Sequence, residues 1–328
     1  MKKLFLILLA MLCLVSCSSK NEYESHTFFS MDTFAEVRVY NGRKDATSSA
    51  ERIANDIEKI ISKTLSNSPI YTLNATDTSS TDLNDTLDEI LNISLEIAEI
   101  TDGAFEPMSG GLVELWEKCE TEQRLPGDEE LSEQISAIHN TEIYKSDGTL
   151  FKNGGAKFEF GAIGKGYAAD KMVQILKDNG VSVGMVSFVS TVSVFGDRDF
   201  KIAVRTPDNS GETAGYLTMR DQSLSVSGDY ERFYTINDKT YNHIINPYSG
   251  YPVSNGTHSV AVVCESAAVA DALSTAIFVM DIEKAMELYS SGVIEFEMMI
   301  ITDEHIIITP GMMKNFELVT TKYKLAEN

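Results

Sequence analysis

The chain has 328 residues, 49 acidic against 27 basic, with a formal charge of −22 and four cysteines. So acidic a balance excludes a nucleic-acid binder or a polybasic membrane patch, since either needs a basic face against a polyanion. Neither Cys119 nor Cys264 has a CxxC companion, which excludes a zinc–cysteine site and a disulfide-rich scaffold, and the two read as buried thiols rather than one bridge.

The first residues, MKKLFLILLAMLCLVSCSS, join two lysines to an apolar run from Leu4 to about Val15, too short for a comfortable membrane span. Ser16 stands just ahead of Cys17, and Leu14 three places before it, as in a bacterial lipoprotein signal. The expected organisation is a signal peptide over residues 1–16, a lipid-bearing Cys17, a tether over 17–25 and one domain over 26–328, anchored outside the cytoplasm. An ordinary cleaved signal with an incidental cysteine is the alternative.

From His26 to Tyr40 apolar and polar residues alternate as in strands, closed by Asn41-Gly42. A helix is predicted over Thr47 to Ser62, a polar loop over Thr64 to Thr81, and a longer amphipathic helix from Leu83 to Asp102-Gly103. Trp116 reads as a packing residue. Asp128 to Ile138 is predicted helical, Tyr144 to Lys152 a hairpin, Lys157 to Phe160 a short strand, and Tyr167 to Lys177 a helix stopped by Asn179-Gly180. Strands then dominate: 184–190, 192–195, 200–204, 216–219, 223–227, a hairpin over 231–246, and 260–264. Helices 267–280 and 283–290 and strands near 294–301 and 306–309 complete the chain. Without a regular βαβ rhythm the fold class is α+β, helices on a largely antiparallel sheet in one domain.

Three stretches carry chemistry. In Ala267 to Met280, AAVADALSTAIFVM, Asp271 and Thr275 lie one turn apart on a helix that is otherwise apolar. A buried carboxylate needs a basic side chain, N–H donors or a cation, and a hard cation such as Mg²⁺ suits a carboxylate–hydroxyl pair. In EFGAIGKGYAAD, Glu159 to Asp170, three glycines surround Lys165 at a strand-to-helix junction, fit for phosphate or for a tight turn. His243 stands in an alternating strand, with Tyr241 and Ile245 on its side, where that strand enters an ordered loop, and its pKa range suits proton transfer from a hydroxyl.

Taken in order, MDTF at Met31, GAFEPMSGGLVELW at Gly103, FGAIGKGYAAD at Phe160, SVSGDYERFY at Ser225, HIINPYSGYPV at His243 and ADALSTAIFVMD at Ala270 resemble the ApbE-type FAD:protein FMN transferases. The resemblance implies an ApbE-like, T-fold-related architecture and a Mg²⁺-dependent enzyme that splits FAD, releases AMP and passes FMN to a threonine or serine hydroxyl of an acceptor protein. It implies that Asp271, Thr275 and the Ala162 carbonyl hold the metal. Met31, Thr64, Ala104, Phe105, Glu106, Glu159, Lys165 and Ile245 fall at positions that bind FAD. His243 would deprotonate the acceptor hydroxyl with Asp229 beside it, and the acceptor would be a membrane redox subunit. This sequence has Glu at 106 and 159 where the family usually has Asp, Thr64 for a tyrosine, Val189-Ser190 for a Gly-Gly pair and Met31-Asp32-Thr33 for MGT. A drifted flavin pocket leaves two alternatives, a Mg²⁺-dependent FAD pyrophosphatase and a non-catalytic FAD-binding lipoprotein.

Overall fold

The computed structural model describes residues 23–41, 44–208 and 210–326. The expected signal peptide, Cys17, the expected tether as far as residue 22, and Gly42 lie outside the described residues. Among the described residues no helix is long and apolar enough to cross a membrane.

Strands β1 (Glu24–Ser30) and β2 (Thr33–Val39) form a hairpin whose two-residue turn, Met31-Asp32, has φ of 54° and 58°. Paired left-handed residues match the twist of the flanking strands. Helix α1 (Lys44–Ile61) lays Ala46, Ala50, Ala54, Ile57 and Ile61 against the core, at spacings of three and four. The region read as a polar loop instead holds α2 (Pro69–Asn74) and β3 (Thr78–Asp82). Ser68 caps α2 by accepting from the Ile70 N–H, Pro69 sits in its first turn, and Ile70 and Leu73 are buried. These signals are local and short, and serines and threonines hide them.

Helices α3 (Asp85–Ile100), α4 (Gly110–Glu122) and α5 (Asp128–Asn140) follow, then the hairpin β4 (Glu142–Ser146) and β5 (Thr149–Asn153). Residues 157–160 do not form the expected strand: Lys157 makes one isolated parallel bridge with Ser109, and the Asn74 side chain clasps Phe158 at both its N–H and its carbonyl. Helix α6 (Gly164–Asp178) leads to β6 (Gly184–Phe188), β7 (Thr191–Phe195), β8 (Phe200–Arg205), β9 (Thr213–Met219), β10 (Gln222–Gly228), β11 (Phe233–Ile236), β12 (Lys239–Asn242) and β13 (Thr257–Cys264). The strand holding Tyr241 ends at Asn242, so His243 begins the loop instead of continuing the alternation. Helices α7 (Ala267–Val279) and α8 (Ile282–Ser291), strands β14 (Glu297–Thr302) and β15 (His305–Ile308), α9 (Pro310–Met313), β16 (Phe316–Leu318) and β17 (Lys324–Leu325) close the chain.

Nine strands form one sheet in the order β1-β2-β6-β7-β10-β13-β14-β15-β17, antiparallel except at its β15–β17 edge. Helices α1, α3, α6 and α7 cover one face over the larger core. The other face packs on the small β16-β9-β8 sheet through Met185, Leu224, Leu217 and Ile301. A third cluster gathers around Trp116, beneath the β11–β12 hairpin. Trp116 is fully buried and its indole N–H donates to the Gly250 carbonyl at 2.8 Å, so it packs and also ties down the loop after His243. Cys119 and Cys264 are both buried free thiols.

Helices α6 and α7 meet at their N-termini across Gly166. A methyl group there would lie 2.1 Å from the Ala267 carbonyl oxygen and 2.6 Å from its carbon. Those are backbone atoms that cannot swing aside, so the clash outweighs the roughly 0.5–1 kcal/mol that alanine gains over glycine inside a helix. Gly166→Ala is expected to lower stability by about 2–3 kcal/mol, measured by urea unfolding.

Candidate active site

Asp271 lies on α7 at 4% exposure, its carboxylate surrounded by hydrogen-bond donors, with the Glu231 carboxyl near enough that its pKa is pushed up by burial and by the Asp271 charge. Its Oδ2 accepts from the Gly166 N–H at 3.0 Å and has the Lys165 ammonium 3.7 Å away. Its Oδ1 accepts from Ser225 Oγ at 2.7 Å and has Thr191 Oγ1 at 3.3 Å. The exchange between the helices is reciprocal. Asp170 of α6 accepts from Ser266 Oγ and from the Ala267 and Ala268 N–H groups at 2.7–3.0 Å, capping α7. Burial pushes the Asp170 pKa up against those donors.

Phe160 to Gly164 turn tightly into α6, the Gly164 N–H reaching the Phe160 carbonyl at 2.7 Å. Lys165 then donates back to the Gly161 carbonyl at 3.0 Å while remaining beside Asp271. Thr275 Oγ1 stands 3.1 Å from Ser227 Oγ and 3.4 Å from the Asp271 carbonyl. Among the described residues no backbone N–H bonds to the Ala162 carbonyl, and no group of three His, Cys, Asp or Glu side chains could hold a metal. A cation here would therefore use one carboxylate with hydroxyl and carbonyl oxygens, a hard donor set that suits Mg²⁺ with retained waters and phosphate oxygens. The residues present fit that ion.

His243 opens a loop fixed at several points. Asn242 donates to the Val253 carbonyl, Val253 N–H to the Ile244 carbonyl, and Gly250 N–H to the Asn246 carbonyl, at 2.7–2.9 Å. The Arg232 carbonyl lies 3.2 Å from the His243 backbone N and 3.0 Å from Nδ1. A carbonyl only accepts, so Nδ1 carries the proton and Nε2 keeps a lone pair. Burial, helped by the Arg232 and Lys165 charges, holds the His243 pKa down to about 4, so the ring is neutral at pH 7.

Asp229 lies three residues before Arg232, whose carbonyl holds His243, but its own hydrogen bond goes elsewhere. Its carboxylate pairs with His258 Nδ1 at 2.7 Å, and His258 Nε2 pairs with Asp303 at 2.9 Å. Burial works against a charged His258, but the hydrogen bonds that Asp303 and Asp229 accept from it carry its pKa above the ordinary value. The loop from β10 to β11 is thus pinned at Asp229 and presents Arg232 to His243.

The residues that the resemblance assigns to FAD come from several separate elements. Glu159 accepts from the Gly161 N–H at 2.9 Å and pairs with Lys63 at 2.7 Å, and Lys63 also reaches Glu117 at 3.2 Å. Lys63 carries no signal in the sequence, although it adjoins Thr64, an exposed residue whose hydroxyl lies 3.1 Å from that of Ser62. Glu106 accepts from the Met108 N–H at 2.8 Å, and burial raises its pKa. Met31 is half-buried in the β1–β2 turn. Ala104, Phe105 and Ile245 are buried in the cores, which leaves their backbone, not their side chains, for a ligand. Thr191, Ser225 and the Gly166 N–H were also not anticipated. The alternation of Ser223, Ser225 and Ser227 in an apolar strand was the available signal for the serine.

The sequence matches the profile of the ApbE family over residues 31–300. It is 27% identical to the FAD:protein FMN transferase of Treponema pallidum (strain Nichols) over 350 residues, covering 97% of this chain and 96% of that protein. The Haemophilus influenzae protein of the same name is 26% identical over 92% of this chain and 94% of its own. Among solved structures, the ApbE protein of Thermotoga maritima superposes with a TM-score of 0.82 at 26% identity, covering 89% of this chain and 99% of that one. The apo flavinyl transferase ApbE of Pseudomonas stutzeri, 23% identical over 88% and 94% of the two chains with a TM-score of 0.73, shares the fold.

The depressed His243 pKa has a consequence for stability. The unfolded chain takes up this proton near pH 6.5, the folded protein only near 4. The contribution of neutral His243 is intact above pH 6.5, is lost as pH falls toward 4, and changes no further below. The loss is expected to be on the order of 2 kcal/mol after solvent screening. Urea unfolding across that range should show it and His243→Gln should flatten it, while the imidazole proton shift titrates near 4 in the native protein.

Proposed function

The chain belongs to the ApbE family, and we propose that it works as a FAD:protein FMN transferase, splitting FAD at its pyrophosphate and joining FMN through a phosphoester to a threonine or serine of an acceptor protein. The observation that carries the residue assignment is the neutral His243, with Nδ1 committed to the Arg232 carbonyl and Nε2 free to accept a proton.

In this reading the acceptor hydroxyl gives its proton to His243 Nε2 as its oxygen attacks the phosphorus of the FMN half. The new P–O bond forms as the bond to AMP breaks, and AMP leaves with the bridging oxygen. Lys165 faces the phosphates as a point charge, and the chain needs such local cations because its overall field is strongly negative. Asp271 Oδ2, Thr275 Oγ1 and the Ala162 carbonyl would hold Mg²⁺. When bound, that ion would offset the negative charge that develops on the phosphates during transfer. Glu159 and Glu106 line the flavin side, Glu159 braced by Lys63.

The lipoprotein signal supports placing the enzyme outside the cytoplasm, held to a membrane through Cys17. A membrane redox subunit as acceptor fits that location.

The test is incubation of the protein with FAD and Mg²⁺, with and without an acceptor domain. Covalent FMN on the acceptor is the expected result. AMP released equally without acceptor would assign hydrolysis, and FAD left intact would assign binding alone. His243→Ala should slow transfer by about 10²–10⁴-fold with FAD affinity changed only a few-fold. Asp271→Ala should abolish AMP release, and unchanged release would remove Asp271 from the metal site.

A further inference from the structure

Strand β10 places a serine at every second position, Ser223, Ser225 and Ser227, all toward the helix layer, while Leu224 faces the opposite core. Strand β7 answers in register, Ser193 opposite Ser223 and Thr191 opposite Ser225. The hydroxyls pair across the strands at 3.0 Å in both cases, and Ser227 reaches Ser274 at 2.8 Å and Thr275 at 3.1 Å. Thr191 and Ser225 have no solvent exposure, yet they sit in a sheet that is apolar on both sides. Such groups persist in a core only when paired, and this pair ends on Asp271.

A proton count orders the contacts. Thr191 and Ser225 have one proton each, and an ionised Asp271 has none. The shortest contact, 2.7 Å, takes the Ser225 proton to Oδ1, and the Thr191 proton then goes to Ser225 Oγ, polarising that bond further. The Ser225 bond thereby holds Oδ1 against the sheet and turns Oδ2 toward the start of α6, where it accepts from the Gly166 N–H at 3.0 Å with the Lys165 ammonium 3.7 Å away.

Building on the cation site proposed above, we propose that Ser225, backed by Thr191, is a positioning residue that locks the Asp271 carboxylate so that Oδ2 faces the cation. Neither hydroxyl touches FAD or the acceptor in this arrangement. Both act through Asp271.

The test is calorimetric titration of the FAD-free protein with Mg²⁺, alongside the Mg²⁺ dependence of AMP release. Ser225→Ala should weaken Mg²⁺ binding by about 10–100-fold, raising the Mg²⁺ concentration for half-maximal rate while the rate at saturating Mg²⁺ stays closer to that of the unaltered enzyme. Thr191→Val should weaken binding less, and Thr191→Ser should restore it because the hydroxyl, not the methyl, matters. Wild-type Mg²⁺ affinity in folded Ser225→Ala would overturn the proposal. If Ser225→Ala does not fold, the Thr191 pair decides, and equal loss in Thr191→Ser and Thr191→Val would overturn it by pointing to packing. An unaltered protein that binds no Mg²⁺ overturns it too. One that binds Mg²⁺ but never transfers FMN refutes the transferase reading alone, since the affinity ratios still decide the role of Ser225.

Discussion

Two helices exchange carboxylates at their N-termini, and the site rests on that exchange. Asp170 of α6 accepts the first N–H groups of α7, and Asp271 of α7 accepts the Gly166 N–H in the first turn of α6. Each helix start presents unpaired donors and a partial positive charge, so an acid from the partner satisfies both. The arrangement requires backbone contact, which Gly166 permits. It also settles how an acid can be buried in an apolar helix: Asp271 is compensated by N–H and hydroxyl donors and by a nearby lysine charge.

The two histidines near the site show how environment divides similar side chains. His243 is half-buried against a carbonyl and two cations and stays neutral, whereas His258 lies between two carboxylates and favours its charged form. A base must be uncharged to accept a proton, and a clamp between two acids works best charged. The loop from Asp229 to Arg232 joins them, held at one end by His258 and orienting His243 at the other.

The turn between β6 and β7 is strained. Val189 is 66% exposed at φ 56°, between the fully buried Phe188 and Thr191, and the Ser190 N–H closes the turn on the Phe188 carbonyl at 2.5 Å. A β-branched residue in the left-handed region costs roughly 1–3 kcal/mol and persists only where its neighbours are fixed. Phe188 is fixed in the core and Thr191 by its hydroxyl bonds, so the turn between them has little choice.

Periodicity alone placed most helices and strands, the α+β class and the burial of Asp271 with Thr275 a turn away, because these depend on neighbours in sequence. The ordered motifs carry the resemblance to the family to which the chain belongs. Periodicity missed α2 and β3, whose signals are a single serine cap and a few polar residues, and it extended a strand through His243 that ends at Asn242. Only the tertiary structure decided that Asp229 belongs to His258, that Lys63 braces Glu159, and that Ser225 and Thr191 hold one oxygen of Asp271. Each of those pairs joins residues tens of positions apart. Hydrogen bonds act over about 3 Å, so partners exist only once the sheet order and the meeting of α6 with α7 have brought them together.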